Sequence, residues 1–252
     1  MNTLQTFFLI FTRVASFIVI VPGFSYKGMP AISKIMLSVG LALAVYPGQQ
    51  ELATVLTPFV FGLFIIKEAL LGLAIGFVVQ LIFSAIEMAG QFVDFQVGFS
   101  MGSQYDPSLG IQVSNYGRLY YWLSILLFFL TNLHHTTIRV FVRSFDDLPI
   151  TQTSYNYLGT EGIVQMIGFI FESAILLAIP LMIVALLSEL VLGLISRTVP
   201  QINVLILGMP MKILVSLIFM FFFLPTLISN IGAFMPKIVE MMSEFMYALG
   251  TD

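Results

Sequence analysis

Long apolar runs separated by short polar breaks make up almost the whole chain. Residues 4–21 are apolar except for Gln5, Thr6, Thr12, Arg13 and Ser16, and Pro22-Gly23 stops them. Residues 31–46 form a second run, interrupted by Lys34 and ended by Pro47-Gly48. A third starts at Leu52, passes Lys67-Glu68 without meeting a turn former, and continues beyond Phe83. It predicts a helix of about 40 residues, twice the ~20 of a straight membrane span, so a kink or hairpin is expected in it. Within it, Gly72 and Gly76 lie one helical turn apart and offer a small face for close approach of another helix. Residues 119–133 are the plainest membrane-like segment, and residues 144–160 read as a polar loop. Residues 163–196 form a second overlong stretch, crossed by Glu172, Pro180 and Glu189. Pro200, Gly208 and Pro210 predict broken helix over 199–211. Residues 213–231 are apolar with Pro225 inside, and Lys237, Glu240 and Glu244 mark an amphipathic tail.

One stretch departs from this pattern. Wound at 100° per residue, Gln80, Ser84, Glu87, Gln91 and Asp94 fall within an arc of about 80°, which gives an otherwise apolar helix one wet face. From Gly98 onward the sequence turns loop-like, with Gly102, Asp106-Pro107 and Gly110 as turn formers. A helix with a polar stripe running into a Gly- and Met-bearing loop fits the lining of a polar path, with an obstruction formed by Ser100, Met101, Gly102, Tyr105, Asp106, Pro107, Leu109 and Gly110. It fits a surface loop after a packed helix about as well.

Composition sets the class. The 252 residues are 59% hydrophobic and 9% charged, against about 25% charged in an ordinary soluble domain. The chain is therefore expected to be all-α and membrane-associated, with about six nominal segments and residues 1–252 forming one domain. A net charge of −3 gives no footprint for nucleic acid. Cysteine is absent, which excludes disulfides and thiolate metal sites. Residues 4–21 lack a basic leader and carry Arg13, so they are read as the first structural helix and not as a signal peptide. Most uncharged runs are short. Residues 35–50, 52–66 and 173–188 fall below the ~20 residues of a span, and only 119–138 and 213–236 reach it. Glu68, Glu87, Glu172, Glu189 and Lys212 sit within the apolar pattern, where lipid exposure would cost about 2.5–3.5 kcal/mol each. They are expected to face protein, water or a partner. The distribution of Lys and Arg does not fix an orientation.

Candidate chemistry is thin. Residues 98–102, GFSMG, match the spacing of a nucleophile elbow, but the elbow needs a strand before its serine, and a helix precedes Ser100. A rhomboid-like protease pairing Ser100 with His134 or His135 is a remote alternative. The two histidines are adjacent, so on a helix they point about 100° apart and cannot share one ion; a buried, hydrogen-bonded pair is the expectation. Glu68, Glu87, Asp94, Glu172 and Glu189 would supply a proton relay in a stand-alone ion-coupled transporter. Pairing with Lys67, Arg118, Arg197 or Lys212, or with a neighbouring subunit, is the preferred reading.

Taken in order, these motifs resemble the R-subunit family of type III export gates, flagellar and injectisome. The resemblance rests on Arg13 in an apolar helix, PGFS at 22–25, KEALLGLAIG at 67–76, AGQFVDFQVG at 89–98, Asp106-Pro107, His134-His135 and Ser144-Phe145. Its most specific stretches are GLISRTVPQINV at 193–204 and GMPMK at 208–212, whose wording leans flagellar. Leu133 stands where the family often has Gly. The resemblance implies a non-enzymatic gate subunit without cofactor or metal, located in the bacterial inner membrane at the flagellar basal body. The implied partners are the P and Q subunits, the export-switch B subunit, the A subunit, membrane lipid and unfolded flagellar proteins. It further implies kinked helical hairpins packed into a helical assembly, with packing assigned to Lys67, Glu68, Gly72, Gly76, Glu172, Glu189, Arg197, Pro200, Gln201, Asn203, Gly208, Pro210 and Lys212. A channel-closing loop over residues 100–112 completes the expectation.

Overall fold

The computed structural model describes residues 2–26, 28–49, 52, 54–99, 114–152, 160–198 and 204–250. Among these the chain is helical throughout: α1 (Asn2–Ile20), α2 (Ala31–Val45), α3 (Pro58–Val97), α4 (Asn115–Leu130), α5 (Leu133–Asp147), α6 (Thr160–Thr198), α7 (Val204–Phe234) and α8 (Lys237–Leu249), with a 3-10 turn at Tyr46–Gly48 after α2. Five helices are long and apolar enough to cross a membrane, and six if α4 and α5 count as one broken span. The all-α, membrane-class architecture is as the hydropathy pattern predicts.

Four features differ from expectation. Helix α3 runs unbroken for 40 residues, with no hairpin in it. Pro58 occupies its first turn, where a missing N–H costs nothing, and no proline follows to interrupt the ladder. The plain segment at 119–133 ends earlier, because Asn132 adopts a left-handed conformation (φ 57°) and separates α4 from α5. Asn tolerates that region better than most residues, and since the left-handed position is Asn132 itself, Leu133 enters the helix without needing to be Gly. Helix α5 then extends to Asp147, into the stretch read as loop. Finally, α7 passes through Gly208, Pro210 and Pro225 without ending, as α6 passes through Pro180.

The chain forms two compact units that interleave in sequence: residues 1–82, 129–164 and 236–252 in the first, residues 83–128 and 165–235 in the second. The first unit is organised on a buried charge cluster. The Arg13 and Glu68 side chains are both fully inaccessible, with Arg13 Nε donating to Glu68 Oε2 at 2.5 Å. The rest of the guanidinium donates to the carbonyls of Ser144 (3.0 Å) and Leu148 (2.9 Å), the open end of α5, and lies over the Phe145 ring. A cation there meets carbonyls at the end of the helix, of which Ser144 also accepts the Leu148 N–H, and its negative pole. Lys67 Nζ lies 2.9 Å from the other Glu68 oxygen and donates to the carbonyls of Ile150 (2.7 Å) and Gln152 (3.0 Å), which fastens the turn after α5.

Around this cluster the apolar face of α1, made of Leu9, Ile10, Val14, Phe17 and Ile18, is fully or almost fully buried, and Phe17 stacks on Phe141 with centroids 3.9 Å apart. Gly72 and Gly76 are the reason α1 and α3 approach so closely. A Cβ at Gly72 would overlap the Arg13 carbonyl and Ser16 Oγ, and one at Gly76 would overlap Ile20. The covering helix is therefore α1 of the same chain. Gln5 exchanges hydrogen bonds with the backbone of Leu56, and the Thr6 hydroxyl oxygen accepts from the Leu52 N–H, which sets the approach to α3.

Arg13→Met is expected to destabilise the protein by up to about 3–5 kcal/mol, since it leaves the buried Glu68 carboxylate with only the partly exposed Lys67 as a cation. Arg13→Met combined with Glu68→Gln should lose less than the single variant, because no buried charge is then left alone. Thermal unfolding in detergent checks the order; a double variant less stable than the single one contradicts it.

Candidate functional site

The polar stripe and the helix that follows it meet in the second unit. Helix α3 ends in a left-handed glycine: Gly98 has φ 102°, and the N–H groups of Gly98 and Phe99 donate to the Asp94 carbonyl at 3.0 and 3.1 Å. This is the ordinary C-terminal stop of a helix, and it places Gly where a side chain would be strained. The Asp94 side chain, 3% exposed, turns the other way. Its carboxylate accepts from the Ser114 hydroxyl and from the Tyr116 N–H, at 3.2 and 3.1 Å to its two oxygens.

Ser114 precedes α4, and its hydroxyl oxygen accepts from the Gly117 N–H at 2.8 Å. Asp94 and Ser114 together thus satisfy the first free donors of α4, and the carboxylate sits at the positive pole of that helix. Four residues earlier on α3, Gly90 touches Gly117 directly: a Cβ on Gly90 would fall on the Gly117 N and Cα. A third link runs to α7, where the Tyr116 hydroxyl donates to Ser216 Oγ at 2.9 Å and Ser216 donates to the Ile213 carbonyl at 2.8 Å. Tyr116 is nearly buried and Ser216 wholly so. Phe99 and Tyr116 meet edge to face, with centroids 6.0 Å apart. Side chains of α3, α4 and α7 therefore hold the end of α3 against the start of α4.

The other residues singled out from sequence are dispersed. Gln80, Ser84 and Glu87 are half-buried and Gln91 is exposed, so the stripe is a partly open face closed at its end by Asp94. The proposed obstruction at Ser100, Met101, Gly102, Tyr105, Asp106, Pro107, Leu109 and Gly110 lies outside the described residues, as do Pro200, Gln201 and Asn203. Glu189 and Lys212 pair at 2.9 Å between α6 and α7. Glu172, Arg197 and Pro210 are exposed, and Gly208 is buried. The histidines are not the buried pair expected: His135 is exposed, and His134 packs its ring against Phe129 at 4.9 Å. Among the described residues no three of His, Asp and Glu converge where a metal ion would sit.

Sequence reasoning missed Ser114, Tyr116, Ser216, Gly90 and Gly117. A signal existed for the first: Ser immediately before a helical apolar run is an N-cap pattern. Nothing local marks Ser216, whose partner lies 100 residues away.

The family model described as bacterial export proteins, family 1, matches residues 4–238. The flagellar biosynthetic protein FliR of Bacillus subtilis (strain 168) is 32% identical over 216 residues, covering 84% of this chain and 83% of that protein. FliR of Buchnera aphidicola subsp. Acyrthosiphon pisum is 29% identical over 243 residues, 96% of this chain and 93% of the relative. FliR of Escherichia coli (strain K12) is 28% identical over 226 residues, 89% and 86%.

Gly90→Ala is expected to force α3 and α4 apart and to cost about 1–3 kcal/mol, the range for overpacking a tight contact. Gly62→Ala, at a position where a Cβ meets nothing, is expected to leave the protein as stable as the parent. Parallel thermal melts of the two variants check this.

Proposed function

The chain belongs to family 1 of the bacterial export proteins, and from that premise we propose that it is a non-enzymatic gate subunit of the flagellar type III export apparatus. In this reading it forms part of the channel for unfolded flagellar proteins. It assembles in the inner membrane at the basal body with the P and Q subunits and works with the B and A subunits. The observation that carries the reading is the family match over residues 4–238.

Physical features support it. Helix α3 is roughly 60 Å long at 1.5 Å per residue, twice the ~30 Å of a bilayer's hydrocarbon core. A subunit packed on others can use the part that exceeds the bilayer. Helices α6 and α7 carry exposed large apolar residues on more than one face, among them Leu176, Leu187, Leu190, Phe221 and Phe222. Lipid covers such surfaces, and so do partner helices. Lys212, Glu189, Glu172 and Arg197 lie on the same two helices and suit polar contacts within an assembly. Three of the five acids that a relay would need are engaged locally: Glu68 binds Arg13, Asp94 caps α4 and Glu189 binds Lys212. That argues against a stand-alone ion-coupled carrier. Residues 100–112, bearing Met101, Tyr105 and Leu109 between glycines and Pro107, are the proposed plug; Met repacks readily as a passage changes shape.

Two outcomes test the reading. Expressed without partners, the protein is expected to be aggregated or protease-sensitive in detergent, and to become resistant when the P and Q subunits are co-expressed; a monodisperse, resistant monomer contradicts it. Deleting residues 101–110 is expected to leave complex yield largely intact while raising passage of small ions across the membrane of intact cells. A deletion that assembles and does not leak removes the plug assignment.

A further inference from the structure

The turn after α5 is rich in hydrogen-bond acceptors, and only some of them are used within the first unit. Arg13 takes the carbonyls of Ser144 and Leu148, and Lys67 takes those of Ile150 and Gln152. Beside them lies a cavity of about 270 Å³, lined by Gln49, Phe145, Asp146, Pro149 and Thr151 among others. The Phe145 carbonyl would pair with the N–H of residue 149, but that residue is proline and has none. Among the described residues neither the Phe145 nor the Asp146 carbonyl accepts a main-chain hydrogen bond past the helix end. The Asp146 carboxylate is exposed, and its described bond is a 3.5 Å approach from the Gln49 amide, at the outer limit of a hydrogen bond. Among the described residues no Lys or Arg forms an ion pair with it. A carboxylate, two unpaired carbonyls and the negative pole of α5 thus border one cavity, and all of them call for a cationic donor.

We propose that this cavity receives an arginine side chain from another chain of the assembly, with its guanidinium bound to the Asp146 carboxylate and to the carbonyls at the end of α5. The inference rests on reading the protein as an assembly subunit. A guanidinium suits the site because it carries five donors in a plane and no acceptor, and it is weakly hydrated. A bare divalent cation does not suit it: calcium takes 6–8 oxygen ligands, usually several of them carboxylates, and no three of His, Asp and Glu converge here among the described residues. The volume also exceeds what one ion fills and accommodates a side chain. The nearest cations of this chain, Arg13 and Lys67, are already spent on the neighbouring carbonyls and on Glu68. They hold the turn in place, so the acceptors are preorganised before the arginine arrives.

The test uses the complete export complex, with a compact diazirine side chain in place of Thr151, which is exposed and lines the cavity. After illumination, mass spectrometry identifies what is attached. The expected adduct is an arginine-bearing peptide of another chain in the complex. Asp146→Ala is expected to lower its yield by about tenfold, the effect of one hydrogen bond to a charged group. Asp147→Ala, on the same turn but outside the cavity lining, is expected to leave the yield unchanged. Both acids are exposed, so neither substitution is expected to unfold the chain. An adduct confined to lipid or to this chain, a partner peptide without arginine, or a yield indifferent to Asp146→Ala overturns the proposal. If no complex forms, the gate reading fails alone, and heat protection of the single chain in detergent decides the cavity. N-acetylarginine amide is then expected to protect the parent and not Asp146→Ala, while its neutral citrulline counterpart protects neither. Equal protection by the two compounds, or none by either, overturns the proposal.

Discussion

A guanidinium buried without water must find acceptors for all its donors, and the first unit is arranged around that demand. Arg13 meets it with one carboxylate and two main-chain carbonyls. Those acceptors fix three elements at once: α3 through Glu68, the C-terminal end of α5 through Ser144, and the turn beyond it through Leu148. Lys67 extends the cluster to Ile150 and Gln152. A pair of buried charges is weak evidence for net stability, since desolvation offsets most of the attraction. What it supplies is a requirement for one arrangement. Slide α1 by one turn against α3 and the guanidinium leaves its carboxylate, while Ser16 and Ile20 meet Gly72 and Gly76 out of register.

The second unit solves a related problem with the opposite charge. Helix ends expose unpaired backbone groups, and in apolar surroundings there is no water to satisfy them. Where α5 ends, a cation takes two of the terminal carbonyls. Where α4 begins, an anion takes the free N–H groups. These charges look misplaced when read along an apolar sequence, yet each completes a helix terminus. The remaining long helices follow a different rule. Much of α6 and α7 is exposed apolar surface, and the Glu189–Lys212 pair is the salt bridge described between them. Such surfaces are complete only when something apolar, lipid or protein, covers them.

The sequence by itself determined the all-α class, the membrane character, most helix positions and the polar stripe. Each of these follows from local composition and from the 3.6-residue period, which a helix imposes wherever it sits. The closeness of Gly72 and Gly76 to a neighbour was also legible, because a helix without side chains on one face admits a backbone. The length of α3 was legible, but its continuity was not: the sequence shows that 40 residues exceed one span and does not show whether the excess folds back or projects. Only the tertiary structure decided that Arg13 is the partner of Glu68, 55 positions away, or that Asp94 belongs to the start of α4. Those pairings depend on which helix ends the fold brings together, and charge, unlike hydropathy, carries no period along the chain that names its partner.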